Sequence, residues 1–149
     1  RRSESSAVVT RTPTCQHRTQ AHRTAVTVMR TLLLVNAAFE FAVAGLTLFA
    51  PQLLLGPVGP DVRAVARVLA ANALALAVYS SLAALHRDLE VRRLALRCFL
   101  VFHLAVVAVQ AAGFAEGGPV QPVIVHGLLL LAFAVAIVRA PPGGPGHAA

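Results

Sequence analysis

The sequence predicts an all-α protein, a four-helix transmembrane bundle of up-down topology with both termini cytoplasmic. Three observations predict it. Four apolar runs are each long enough to cross a bilayer core of ~30 Å at about 1.5 Å per residue. Gly, Pro and charged clusters separate the runs and read as turns. The charged residues of the membrane region gather mostly at the ends of the runs, where basic side chains orient membrane helices.

The runs come first. Thr31 to Ala50 is interrupted only by Glu40 and closed by Pro51. Val62 to Leu85 is uncharged after Arg67, and Leu94 to Ala115 is uncharged after Arg97. Gly117 to Val138 carries no Arg, Asp or Glu. The expected helices are about 31–50, 62–85, 94–115 and 120–138, within a membrane domain spanning 29–140. Strands are excluded, because an open sheet edge cannot sit in lipid and nothing alternates like a barrel strand. Pro57, Gly59 and Pro60 mark the first turn, with Asp61 as expected N-cap of the second helix. The Pro/Gly tail, 141–149, cannot continue a helix and is expected to be disordered.

Composition agrees. Of 149 residues, 57% are hydrophobic and 13% charged, with mean hydropathy +0.72, against about 25% charged in a soluble domain. All 13 basic residues are Arg, a usage that points to a GC-rich, bacterial genome. The net charge of +7 does not assemble a basic surface with a reading element, so nucleic acid is not an expected partner. Cys15 and Cys98 form neither a CxxC motif nor a disulfide framework; Cys98 is expected as a small buried hydrophobe.

Residues 1–28 hold five Arg and one acid and show no apolar period. Organelle targeting segments can look similar. The simpler expectation is a start at Met29, directly before the first run, with 1–28 a disordered and dispensable tail. Met29-Arg30, the run Thr31 to Phe39 and Ala42-Val43-Ala44 also resemble a signal peptide. Glu40 inside the run, and the run's continuation to Ala50, favour an uncleaved helix.

Arg distribution sets the orientation. Arg87, Arg92, Arg93 and Arg97 lie between or beside helices 2 and 3, whereas the next connection has only Glu116. Short cytoplasmic loops are rich in Arg and Lys, so the middle loop and both termini are expected in the cytoplasm of a bacterial cell and the helices in its cytoplasmic membrane. Arg63 and Arg67, four apart, share a face and snorkel outward.

Six polar side chains interrupt the apolar runs: Glu40, Arg67, Asn72, His103, Gln110 and His126. Counting rise per residue places Glu40, His103 and Asn72 about 13–15 Å deep, near the midplane, and Arg67, Gln110 and His126 in the outer third. Asn36, Glu40 and Thr47 share one helical stripe; His103 and Gln110 share another; Asn72 aligns with Tyr79 and Ser80. Such stripes face the bundle because polar groups are costly in lipid. The expected binding or proton-linked residues are Glu40, Asn72, His103, His126 and Arg67. Glu40 and His103 are expected to be coupled, directly or through Asn72. No catalytic residue, metal site or cofactor is expected.

Three functions compete. The first is a non-enzymatic membrane helper or small-ligand-binding subunit, whose partners are the lipid bilayer and a second copy or another membrane protein. The second follows from Ala37-Ala38-Phe39-Glu40, which resembles the helix-1 glutamate of small multidrug resistance transporters and implies a proton-coupled exporter using Glu40. The chain departs from that family in lacking Trp and in having only Tyr79 among tyrosines. The third is a haem or quinone redox subunit using His103 and His126, for which the depth count puts the two histidines at different heights. A wider resemblance covers Met29 to Arg139. Asn36-Ala-Ala-Phe-Glu40 before Gly45, Pro51 closing helix 1, the Arg-rich middle loop and Phe102-His103 together resemble the DoxX-like small four-helix bacterial membrane proteins. That resemblance implies a helical membrane bundle and supplies no activity.

Overall fold

A computed structural model describes residues 13–56, 59–115 and 119–140. The described residues are helical apart from short connections: α1 (Pro13–Phe49), α2 (Pro51–Leu55), α3 (Pro60–Leu85), α4 (Leu89–Ala115) and α5 (Gln121–Arg139). Four of these contain segments long and apolar enough to cross a membrane, Gln20–Phe49, Pro60–Leu85, Leu89–Phe114 and Gln121–Arg139. The four expected runs correspond to α1, α3, α4 and α5.

Helix boundaries follow local chemistry. Pro51 cannot donate its missing N–H to the preceding turn, so α1 stops at Phe49 and Pro51 instead starts the single turn of α2. That turn ends on Gly56 at φ +71°, a left-handed conformation that side-chain-bearing residues rarely adopt. Pro60 opens α3 behind an extended Gly59. Asp61 is therefore not the N-cap but sits in the first turn, where its charge meets the positive end of the helix dipole. The helix expected from Leu94 begins at Leu89. The reason is Asp88, whose Oδ1 accepts the Glu90 N–H at 2.8 Å and caps the helix one turn earlier than the apolar pattern starts. Arg93 in that turn pairs with Glu90.

The largest departure is at the N-terminus. Residues 13–28, expected as disordered tail, are helical and continuous with the first membrane segment. Extending an existing helix needs no new nucleus, so a polar sequence of adequate propensity follows the apolar one. Ala25 also packs against the core. The expectations for residues 1–12 and the tail at 141–149, and for Glu116, lie outside the described residues.

Two kinds of packing hold the helices together. On α1, Met29, Leu33, Asn36, Ala37, Glu40, Ala44 and Thr47 are buried at intervals of three and four, one face of a helix. On α3 the buried positions are Ala66, Ala70, Ala73, Ala77, Ser80, Ala83 and Ala84. Every side chain in this α3 stripe is small, which lets two backbones approach closely, the main source of helix association where lipid is as apolar as the protein interior. The α1–α3 and α4–α5 pairs pack most extensively. One apolar cluster then joins all four long helices: Met29 and Leu33 of α1, Ala83 and Ala84 of α3, Leu96 and Phe99 of α4, Phe133 and Ala136 of α5. Outward faces carry Val65, Leu82, Val101, Leu104, Val109, Leu128 and Leu131, each more than half exposed. Apolar surface this continuous suits lipid better than water.

Candidate functional site

The site is a chain of polar side chains that ties α5, α4, α1 and α3 together. His126 on α5 and His103 on α4 approach with Nδ1 to Nδ1 at 2.9 Å. His103 Nε2 lies 2.9 Å from Asn36 Oδ1 on α1. Asn36 Nδ2 faces Ser80 Oγ on α3 at 3.5 Å, the long end of hydrogen bonding. Ser80 Oγ–H donates to the Leu33 carbonyl at 2.7 Å. Asn36, Ser80 and His103 are fully buried, and His126 is half-buried.

Donor and acceptor roles run one way along this chain. Ser80 gives its only hydrogen to the Leu33 carbonyl, so its oxygen must accept from the Asn36 amide NH₂. Asn36 Oδ1 then accepts, and His103 Nε2–H donates to it. Neutral His103 consequently presents the lone pair of Nδ1, which accepts Nδ1–H from His126. The chain ends at His126 Nε2, an acceptor with no hydrogen bond among the described residues.

Aromatic rings wall the histidines. Phe133 stacks on His103 with ring centres 5.4 Å apart and 21° between planes. Phe102 meets His103 edge-on at 5.1 Å, Phe99 lies against both His103 and Phe133, and Phe39 meets His126 edge-on at 5.5 Å. Four of the seven phenylalanines of the chain thus enclose one imidazole pair. Such rings leave the histidines little room to swing away from each other.

Glu40 lies one helical turn beyond Asn36 on the same buried stripe, 3% exposed. Its Oε1 is buried without a hydrogen-bond partner among the described residues. The expected direct coupling of Glu40 to His103 is not made by a hydrogen bond, because Asn36 and His126 take the two His103 nitrogens. Asn72 cannot mediate: it is exposed, since the face α3 buries runs through Ala70, Ala73, Ala77 and Ser80. Tyr79 is exposed with it, so of the stripe expected on α3 only Ser80 turns inward. Arg67 is exposed, and Gln110 is half-buried about two helical turns from His103. Cys98, expected as buried, is exposed.

The histidines meet although rise-counting placed them at different depths. Along the axes, His103 is about 18 Å from the Ala115 end of α4, and His126 about 8 Å from the Gln121 start of α5. The long α4 therefore overhangs the short α5 by about 10 Å, an offset that counting each helix from its own end cannot see. No three His, Cys, Asp or Glu side chains gather to hold a metal among the described residues. The imidazole pair does not fit a haem sandwiched between it. Axial nitrogens on opposite faces of a porphyrin stand about two metal–nitrogen bonds, or ~4 Å, apart with the macrocycle between them. Here the nitrogens touch at 2.9 Å and the ring centres are 5.2 Å apart. No known family model, curated protein or solved structure matches this chain.

Proposed function

We propose that this chain is a non-enzymatic, multi-pass protein of the bacterial cytoplasmic membrane that binds a small hydrogen-bond-donating molecule between its helices. The observation that carries this reading is the Glu40 Oε1, buried in an apolar bundle with no hydrogen-bond partner among the described residues. An unsatisfied buried carboxylate oxygen costs more than any single hydrogen bond in the bundle returns, so it calls for a guest or a proton. His126 Nε2, the bare end of the polar chain, offers a second acceptor. Phe39 beside His126 and Phe102 beside both histidines suit an apolar or aromatic body on that guest. The chemistry is that of an apolar molecule bearing an O–H or N–H.

The up-down arrangement belongs to this reading. The shared apolar cluster draws on the early part of the first membrane segment, the end of α3, the start of α4 and the end of α5. That combination is what alternating helices give. Together with the Arg bias of the α3–α4 connection, it supports a cytoplasmic side for both termini. In a background without Cys15 and Cys98, Arg87→Cys leaves the Asp88 cap intact and is expected to resist a membrane-impermeant maleimide added to intact cells. Rapid labelling from outside would reverse the orientation.

The binding test uses protein extracted directly into polymer nanodiscs, followed by solvent extraction and mass spectrometry. A non-lipid molecule near one per chain is expected from the wild type and is expected to be lost from Glu40→Leu and His126→Phe. Retention in both variants, or no molecule in any preparation, defeats the reading. A second reading, the proton-coupled exporter, is favoured by Glu40 being the only acid on the buried α1 stripe. It separates cleanly: export of cationic dyes abolished by Glu40→Gln belongs to the exporter, and a co-purifying guest without dye export to the binding protein.

A further inference from the structure

A second site lies away from the histidines, in a groove of about 1000 Å³ between the early part of α1 and the late part of α5. Its floor and walls are apolar, with Leu32, Val35, Leu128 and Leu131 among them. Its other end is polar: Gln20 and Thr24 of α1 and Arg139 of α5. No acidic side chain lines it, and Arg139 makes no ion pair among the described residues. Thr24 turns its hydroxyl hydrogen inward to the Gln20 carbonyl, which leaves the oxygen as an acceptor and the guanidinium as the groove's strong donor. Arg23 and Arg30 are exposed in the same stretch of α1.

We propose that this groove binds one acyl chain of an anionic glycerophospholipid, with the lipid phosphate on Arg139. Length supports it. From Arg139 to Leu128 the groove follows α5 for about 16 Å, and the hydrocarbon depth of one leaflet is about 15 Å. Polarity supports it too, since the cationic end and the apolar end lie one leaflet apart, as the two ends of a lipid do. A planar guanidinium grips a phosphate with two parallel hydrogen bonds, which an ammonium cannot reproduce. A basic end on a groove between helices at the membrane surface is the chemistry that selects acidic lipids. The groove opens where α1 continues as a helix beyond its apolar run and where two of the α5 residues facing it, Ala132 and Ala136, are small.

The test uses the full chain in phosphatidylcholine nanodiscs doped with phosphatidylglycerol carrying a diazirine on one acyl chain. The control probe is phosphatidylcholine with the same chain. Adducts mapped by mass spectrometry are expected to concentrate on residues 24–35 and 128–136. The acidic probe is expected to label these about fivefold more than the zwitterionic one, the preference a single Arg gives near a membrane surface. Arg139→Gln is expected to bring the two probes level, and Ala132→Phe, which fills the groove, to lower both. Unlabelled phosphatidylglycerol is expected to compete in the unaltered protein, so the result does not depend on a variant folding. Equal labelling by both probes, adducts spread over the outward faces of α3 and α4, or failure of the acidic lipid to compete overturns the proposal.

Discussion

Replacing Phe133 by Ala is expected to destabilise the bundle by about 2–4 kcal/mol. The side chain is fully buried, stacks on both Phe99 and His103, and belongs to the cluster shared by all four long helices. In a water-soluble core such a truncation costs about 3–5 kcal/mol, from lost transfer energy together with the cavity left behind. In a bilayer the separated helices keep their apolar groups in lipid, so most of the transfer contribution vanishes and the packing contribution stays. The loss can be read by steric trapping or by thermal unfolding in a fixed detergent. Phe133→Leu, which keeps most of the volume, is expected to cost under about 1.5 kcal/mol. Equal losses for the two changes would mean that the ring stack, rather than the filled space, carries the stability.

The second large effect is expected at His103→Leu, about 1–3 kcal/mol. This residue is the junction of the polar chain: removing it strands Asn36 Oδ1 on one side and His126 Nδ1–H on the other. Hydrogen bonds between membrane helices average only about 0.6 kcal/mol, but leaving a buried group unpaired costs about 1–3 kcal/mol. Asn36 is fully buried and has no lipid or water to turn to. Adding Asn36→Leu to His103→Leu removes one of the stranded groups, while Ser80 keeps its bond to the Leu33 carbonyl. The pair is therefore expected to cost less than the sum of its parts by about 0.5–3 kcal/mol. Additivity within about 0.5 kcal/mol would show that the two residues do not share a network. Glu40→Leu offers a contrast. With Oε1 unpartnered among the described residues, its replacement by an apolar side chain strands nothing and removes a costly buried polar group, so the bundle is expected to be at least as stable while guest binding is lost.

The sequence by itself determined the elements. Four runs of about 20 apolar residues fit only membrane helices, because each helix satisfies its own backbone hydrogen bonds and lipid satisfies none. Pro51, Pro60 and the Gly/Pro turns punctuated them for reasons local to the backbone. The buried stripe of α1, with Asn36, Glu40 and Thr47, was also legible, since helical period alone puts those residues on one face.

Tertiary structure decided which polar residues meet. On α3, period allowed either Asn72 with Tyr79 or the alanine stripe with Ser80 to face inward. Close approach of α1 selected the small residues and turned Asn72 out. His103 and His126 share a level only because α4 is longer than α5 and overhangs it, and the offset between two helices is set by packing that no single run encodes. The same packing spends both nitrogens of His103 on Asn36 and His126 and leaves one Glu40 oxygen without a partner among the described residues. Periodicity fixes direction within one helix; partnership requires the rotation and offset of the next, and those are settled by side chains far apart in the chain.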